Sequence, residues 1–327
     1  MPKIAILAAT SSGREIALLL NKELPGSELI DTTLGVRKAL ETAWHSFDSI
    51  ICVMATGIAV RCVSGLCRSK YYDPCIVVVD ERGGHAISLL SGHIGGANLL
   101  AEKVAEISGG TAVITTASDV TGHTAVDLWA VEANLTVVNP DKIASTSAKL
   151  IQQGFLTVYQ PSDFINSFPK DFHPCTKQQD ADIVIALVPD TESVLTLIPR
   201  VRYIGFGCRR GTTINEFRQA IADLETQDGL DLRSVGGAAS IDLKNDEQGL
   251  LELAALFNWP LRFFTKEQIG SVPGSEKSEI VHRQIGVFGV CESAAILAAS
   301  GKNQSGRLII KKRKWERITA AVAETKY

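Results

Sequence analysis

Segments that are apolar at nearly every position alternate with amphipathic ones through the first 130 residues. "KIAILAA" (Lys3–Ala9), "SIICVMA" (Ser49–Ala55) and the first half of "CIVVVDERGGHAISLL" (Cys75–Leu90) carry no polar alternation. A strand with that pattern is buried on both faces, as in a parallel sheet covered by helices on each side. The pieces between them, "SSGREIALLLNKEL" (Ser11–Leu24) and "VRKALETAWHSF" (Val36–Phe47), place apolar residues at helical spacing. The chain is therefore expected to be α/β, with an amino-terminal open, mostly parallel sheet flanked by helices.

The same reading continues downstream. "TGIAVRCVSGLC" (Thr56–Cys67) reads as a helix, and Arg82–Gly83–Gly84 turns the third apolar run into a hairpin. "IGGANLLAEKVAEIS" (94–108) reads as a helix and "AVITT" (112–116) as a strand. Periodicity then weakens, and residues 159–179 hold three of the eleven prolines, so an irregular connector is expected there. From Tyr203 it sharpens again. "YIGFGCRRGTTINEFRQAIADLE" reads strand, glycine-rich turn, helix, with Thr212 or Thr213 as the cap. "RLIIKKRKWERITAAVAE" reads as a terminal pair of strands. The expected organisation is an amino-terminal domain over 1–130, a middle region over 131–200, and a compact carboxy-terminal α/β domain over 201–327.

Composition excludes several classes. A net charge of −3 gives no reason to expect nucleic acid or an anionic membrane as partner. No apolar run approaches the roughly 20 residues that span a bilayer, and the amino terminus lacks the form of a signal peptide. Seven scattered cysteines in 327 residues suit a reduced, cytoplasmic protein. Cys52, Cys62, Cys67 and Cys75 are close in sequence but lack the Cys-x2-Cys pairing of structural zinc sites, so semi-buried thiols are expected and no metal site.

Two strand-to-helix turns could carry chemistry. In the first, "SLLSGHIGGAN" (88–98) joins the hairpin to a helix, and Asp80, Glu81, His85, Ser91, His93 and Asn98 cluster in sequence around Gly92, Gly95 and Gly96. Amides at a helix N-terminus favour an anion or a developing oxyanion. His93 could serve as a general base, because the ordinary pKa of histidine lies near working pH. The alternative is a capped turn whose glycines let helix and sheet pack closely. Neither the Gly-Lys-Ser/Thr of a phosphate loop nor Gly-x-Gly-x-x-Gly is present, so a nucleotide cradle is poorly supported.

The second turn, "GFGCRRGTT" (205–213), sets Arg209 and Arg210 beside a helix start, which suits carboxylate or phosphate. Two solvated arginines flanking a turn would read the same. Cys208 could be a helix-end nucleophile, though a small packing residue is the simpler reading. Asp119 follows a strand end, a usual address for functional groups or an ordinary turn acid. Glu292 suits the N-terminus of its helix electrostatically.

Together these stretches resemble a known family. "GIAVRCVSGL", "DPCIVVVDERGGHAISLLSGHIGGANLLAEKVA" and "AVITTASDV" resemble the amino-terminal domain of the CbiG family of cobalamin biosynthesis. "YIGFGCRRGTTINEF", "SIDLKNDEQGLLELAALFNWPLRFF", "GVFGVCESAAILAAS" and "LIIKKRK" resemble the family's carboxy-terminal domain, which it shares with CobE proteins. The resemblance implies a cobalt-precorrin-5A hydrolase, which opens the δ-lactone of a cobalt-containing tetrapyrrole and expels acetaldehyde to leave cobalt-precorrin-5B. It implies no cofactor beyond the cobalt that the substrate carries, and transient contact with other enzymes of the pathway. On this view His93 is the general base, the amides of "SGHIGG" meet the oxyanion, and Asp80, Glu81 or His85 orient the base. Arg209, Arg210, Arg61 and Lys311 are candidates for the carboxylate fringe of the substrate. A corrinoid carrier without catalysis, or an unrelated nucleotide-binding protein, are the alternatives.

Overall fold

The computed structural model describes residues 3–68, 72–93, 95–116, 121–189, 191, 193–272, 289–301 and 305–326. The chain divides into two compact units, residues 1–131 with 143–155, and residues 132–142 with 156–327.

The first unit is built on β1 (Ile4–Ala8), β2 (Ser27–Leu29), β3 (Ser49–Val53), β4 (Cys75–Val79), β5 (His85–Leu90) and β6 (Thr111–Val113), in the order β2-β1-β3-β4-β5-β6. Successive residues of the apolar strands serve opposite faces. Ile4, Ile6, Ile51, Val53, Val77 and Val79 pack with Ala17 and Leu20 of α1 (Gly13–Glu23) and Ala101 and Val104 of α4 (Ala97–Ser108). Ala5, Leu7, Ile50, Cys52, Ile76 and Val78 pack with Leu40 and Ala43 of α2 (Val36–Trp44) and Ala59 and Cys62 of α3 (Thr56–Val63). This is the two-sided burial that continuous apolar runs require. Two differences from the sequence reading are local. The helix at Thr56 ends at Val63, short of Cys67, and β2 ("SEL") is a short edge strand whose polar residues carry no strand signal.

Strand direction positions the site. β1, β2, β3 and β4 run parallel, but β5 returns antiparallel to β4, and β6 runs parallel to β5. The carboxyl ends of β5 and β6 therefore open on the opposite edge of the sheet from those of β1, β3 and β4. Past β6, α5 (Val126–Glu132) and α6 (Lys142–Gln153) follow, and α6 belongs to this unit from Ile143 onward.

The second unit holds two sheets. β7 (Leu135–Val137), β8 (Leu156–Tyr159), β9 (Phe172–Pro174), β10 (Ile183–Ile185) and β11 (Leu195–Pro199) form one, in the order β7-β11-β10-β8-β9. β9 lies within the segment expected to be irregular. β12 (Arg202–Cys208), β13 (Val235–Ile241), β14 (Leu261–Phe264), β15 (Ser305–Lys314) and β16 (Ile318–Lys326) form the other, in the order β14-β13-β12-β16-β15. β15 and β16 are the antiparallel terminal pair. α7 (Ile214–Asp228) and α8 (Gln248–Leu256) cover one face of this sheet, and α10 (Val290–Ala299) the other; α9 (Lys266–Gly270) is a single turn. No helix among the described residues is long and apolar enough to cross a membrane.

Candidate functional site

The turn after β5 is held tightly by its own backbone. The amides of Gly96, Ala97 and Asn98 donate to the carbonyls of His93, Ser91 and Gly92 at 2.9, 3.2 and 3.0 Å. Gly96, the cap of α4, has φ 85°, a left-handed conformation that glycine adopts without strain. A Cβ on Gly92 would lie 2.7 Å from Asn98 Oδ1, so the turn passes directly over that amide. Asn98 is buried; its Oδ1 accepts from the Ser88 hydroxyl at 2.6 Å, and its Nδ2 donates to the Thr116 hydroxyl at 3.1 Å. It thus ties β5, α4 and the end of β6 together. Ser91 has φ 57°, and its hydroxyl donates to the Asp73 carbonyl at 3.2 Å. Three of the loop amides are therefore occupied, whereas those of Gly92 and Gly95 donate to no described residue.

The turn delivers His93 to a buried carboxylate. His93 Nδ1 lies 3.2 Å from Asp127 Oδ1, with the side chains only 16% and 7% exposed. Asp127 sits in the first turn of α5, and the same Oδ1 accepts from the Leu128 amide at 3.0 Å. A carboxylate that accepts a hydrogen bond from Nδ1–H fixes the ring's orientation and leaves the lone pair on Nε2, the arrangement of a positioned general base.

Two cavities meet at this pair. One, of about 340 Å³, is lined by Ser88, Leu89, Leu90, Ser91, Gly92, His93, Thr115, Thr116 and Asp127. The other, of about 220 Å³, shares His93, Thr116 and Asp127 and is lined further by His123, Thr124 and Ala125 and by α6 residues including Ile143, Ala144 and Ser147. The site lies outside the carboxyl ends of β5 and β6, where open α/β sheets place their ligands.

Asp80, Glu81 and His85 lie elsewhere. They stand at the opposite end of β5, about 17 Å along the strand from Leu90, on the other edge of the sheet. Asp80 builds the hairpin turn, accepting from the amides of Arg82, Gly84 and His85 at 2.9, 3.2 and 2.6 Å, with His85 Nδ1 at 3.3 Å. Burial would raise its pKa, but those hydrogen bonds outweigh burial and hold the carboxyl below its usual range. Glu81 accepts from the Thr10 and Ser12 hydroxyls at 2.6 and 2.7 Å, and both bonds lower its pKa. A pattern that is contiguous in sequence is split by the strand that separates its halves. Arg61 is exposed on α3. Asp119 lies outside the described residues.

The second turn satisfies itself. Arg210 pairs with Asp246 and also donates to the Leu243 carbonyl at 3.3 Å. The Gly211 amide donates to Glu247 Oε1 at 2.7 Å. Thr213, rather than Thr212, caps α7 in a reciprocal box with Glu216. Arg209 is exposed, and its guanidinium engages no described residue. Burial pushes the Cys208 thiol up to about 11, which leaves it a poor nucleophile at neutral pH. Glu292 is buried at the start of α10, where its Oε1 accepts from the Lys312 amide at 3.1 Å. Lys311 is exposed on β15. Among the described residues no three His, Cys, Asp or Glu side chains gather as metal ligands.

The residue that sequence reasoning missed is Asp127. The one available signal was an acid in the first turn of the helix "VDLWAVE", following a strand end, and nothing local ties it to His93, 34 positions earlier.

Both glycine-rich turns fall within segments of known type. Residues 38–119 match the family described as Cobalamin synthesis G N-terminal, and residues 202–323 that described as Cobalamin synthesis G C-terminus. The chain is 30% identical over 312 residues to the cobalt-precorrin-5A hydrolase of Priestia megaterium, a match covering 89% of this chain and 82% of that protein. It is 34% identical over 289 residues to the cobalt-precorrin-5A hydrolase of Salmonella typhimurium, covering 82% and 81% respectively. The crystal structure of a cobalamin biosynthesis protein G homologue from Sulfolobus solfataricus aligns with 99% of this chain and 97% of its own, at 25% identity and a TM-score of 0.41. The chain belongs to the cobalamin synthesis G family, the CbiG proteins.

Proposed function

We propose that the protein is a cobalt-precorrin-5A hydrolase and that its chemistry is carried by the first unit. The single observation behind the placement is the pairing of His93 with the buried Asp127, set on a cavity at the carboxyl ends of β5 and β6 in a chain whose relatives are named for that activity.

The reaction asks for two events. In the first, water adds to the lactone carbonyl and the ring C–O bond breaks, leaving a carboxylate and a hydroxyl. His93 takes the proton from water, and Asp127 holds the ring and stabilises the imidazolium that forms. The amides of Gly92 and Gly95 are the donors for the tetrahedral oxyanion. In the second event the hydroxyl loses its proton and becomes the aldehyde carbonyl as the carbon–carbon bond to the macrocycle breaks. The electron pair passes into the conjugated cobalt macrocycle, which then takes up a proton, and acetaldehyde leaves. The orienting role expected of Asp80, Glu81 or His85 thus passes to Asp127, because those three lie at the other end of β5. No group beyond the substrate's own cobalt is needed.

The test is turnover. Purified protein incubated with cobalt-precorrin-5A releases stoichiometric acetaldehyde. A protein that binds the tetrapyrrole and releases none is a carrier, and the hydrolase reading fails.

A further inference from the structure

The 220 Å³ chamber that borders the His93–Asp127 pair has a character of its own. It shares only His93, Thr116 and Asp127 with the larger cavity. Its other walls include apolar Ala125, Ile143, Ala144 and Leu150 beside polar His123, Thr124 and Ser147. The Ser147 hydroxyl bonds no described residue. At about 30 Å³ per water the chamber holds roughly seven waters, room for a ligand of a few atoms and none for a tetrapyrrole. Its back wall is α6, which lies outside both family-matched segments.

We propose that this chamber is a binding site for a small uncharged carbonyl compound, and that it receives the two-carbon aldehyde as it leaves the macrocycle. The assignment of the occupant rests on the hydrolase reading; the chemistry of the walls does not. A short carbonyl compound needs one or two hydrogen-bond donors for its oxygen and an apolar lining for its methyl group. The Ser147 hydroxyl can supply the first, and Ala125, Ile143 and Leu150 supply the second. The position is suited to the reaction, since a fragment released beside His93 enters this space without recrossing the larger cavity, at whose mouth the macrocycle would dock. Keeping the aldehyde there also separates it from the carbanion it has just left, which disfavours re-addition.

The experiment has a binding arm and a turnover arm. In the first, acetamide, an unreactive carbonyl compound of matching size, is titrated into the whole protein while histidine ring protons are followed by NMR, with His123→Gln assigning one signal. The expected result is a saturable shift of the His93 and His123 signals in the millimolar range, abolished in Ser147→Phe and in Ala144→Phe. Ala144 is exposed, so its replacement keeps the fold even where the Ser147 variant loses it. A shift that does not saturate, or one that persists in a folded filled variant, overturns the proposal. In the second arm, filling the chamber slows acetaldehyde release from cobalt-precorrin-5A at least tenfold, with KM unchanged. Wild-type release by a folded filled variant also overturns it. If acetamide binds as described but the unmodified protein releases no acetaldehyde, the chamber stands as a carbonyl site and the hydrolase reading alone falls.

Discussion

The turns at Ser91–Gly96 and Gly205–Thr213 look alike in sequence: each joins an apolar strand to a helix through glycines and carries charged or titratable side chains. In the folded protein they differ in where their polar groups go. The second turn closes on itself, with Arg210 on Asp246, the Gly211 amide on Glu247, and Thr213 and Glu216 capping each other. The first uses backbone to fix its shape and sends its one titratable side chain, His93, to a carboxylate from a different element, a pair that lines two cavities. A turn whose side chains are satisfied locally is built for stability. One that presents an oriented base, paired with a buried carboxylate, to open space is built for chemistry.

The sharpest way to break that contrast is to remove the base. His93→Gln is expected to lower kcat for acetaldehyde release about 10²–10⁴-fold, the usual worth of general base catalysis, measured by steady-state turnover. Asp127→Asn keeps the shape of the pair but offers His93 a donor as readily as an acceptor, so the wrong tautomer is populated. Its kcat should fall on the order of 10²-fold with KM little changed, and Asp127→Glu should recover part of the loss. In the second turn Arg210→Ala should leave both kcat and KM near their original values, because that guanidinium is already paired with Asp246.

Smaller effects probe stability. Thr213→Ala removes a capping box and should lower the unfolding free energy by about 1 kcal/mol, seen in denaturant melts, without altering kcat. The hairpin turn should show in the acid limb. Asp80 has a folded-state pKa below its unfolded value, since the hydrogen bonds to its carboxylate outweigh burial. Its contribution is therefore complete above an unfolded pKa of about 3.9 and is lost as pH falls through the lower folded value. Asp80→Asn should flatten the stability profile slightly in that window and leave kcat at pH 7 unchanged.

Much of the fold was legible because local pattern and global burial agree. "KIAILAA" and "SIICVMA" are apolar at every step because both faces of the sheet are covered. The hairpin at Arg82–Gly84 and the terminal strand pair were marked by their turns. β2 and β9 were not legible, since three-residue strands whose residues are largely exposed leave no periodic signal. The site divided in the same way. The sequence singles out His93 and its glycines, but closeness along the chain pulled in Asp80, Glu81 and His85, which a six-residue strand carries to the opposite edge. Asp127 lay hidden because its pairing with His93 depends on the direction of β5 and on the packing of α5, both of them tertiary.

The most direct measurement is single-turnover acetaldehyde release from cobalt-precorrin-5A, run in parallel on the unmodified protein, His93→Gln and Asp127→Asn. Fast release by the first and release slowed at least 10²-fold by both variants, with all three binding the substrate, is the expected result. Release by His93→Gln at the rate of the unmodified protein would contradict the placement of the chemistry at this turn.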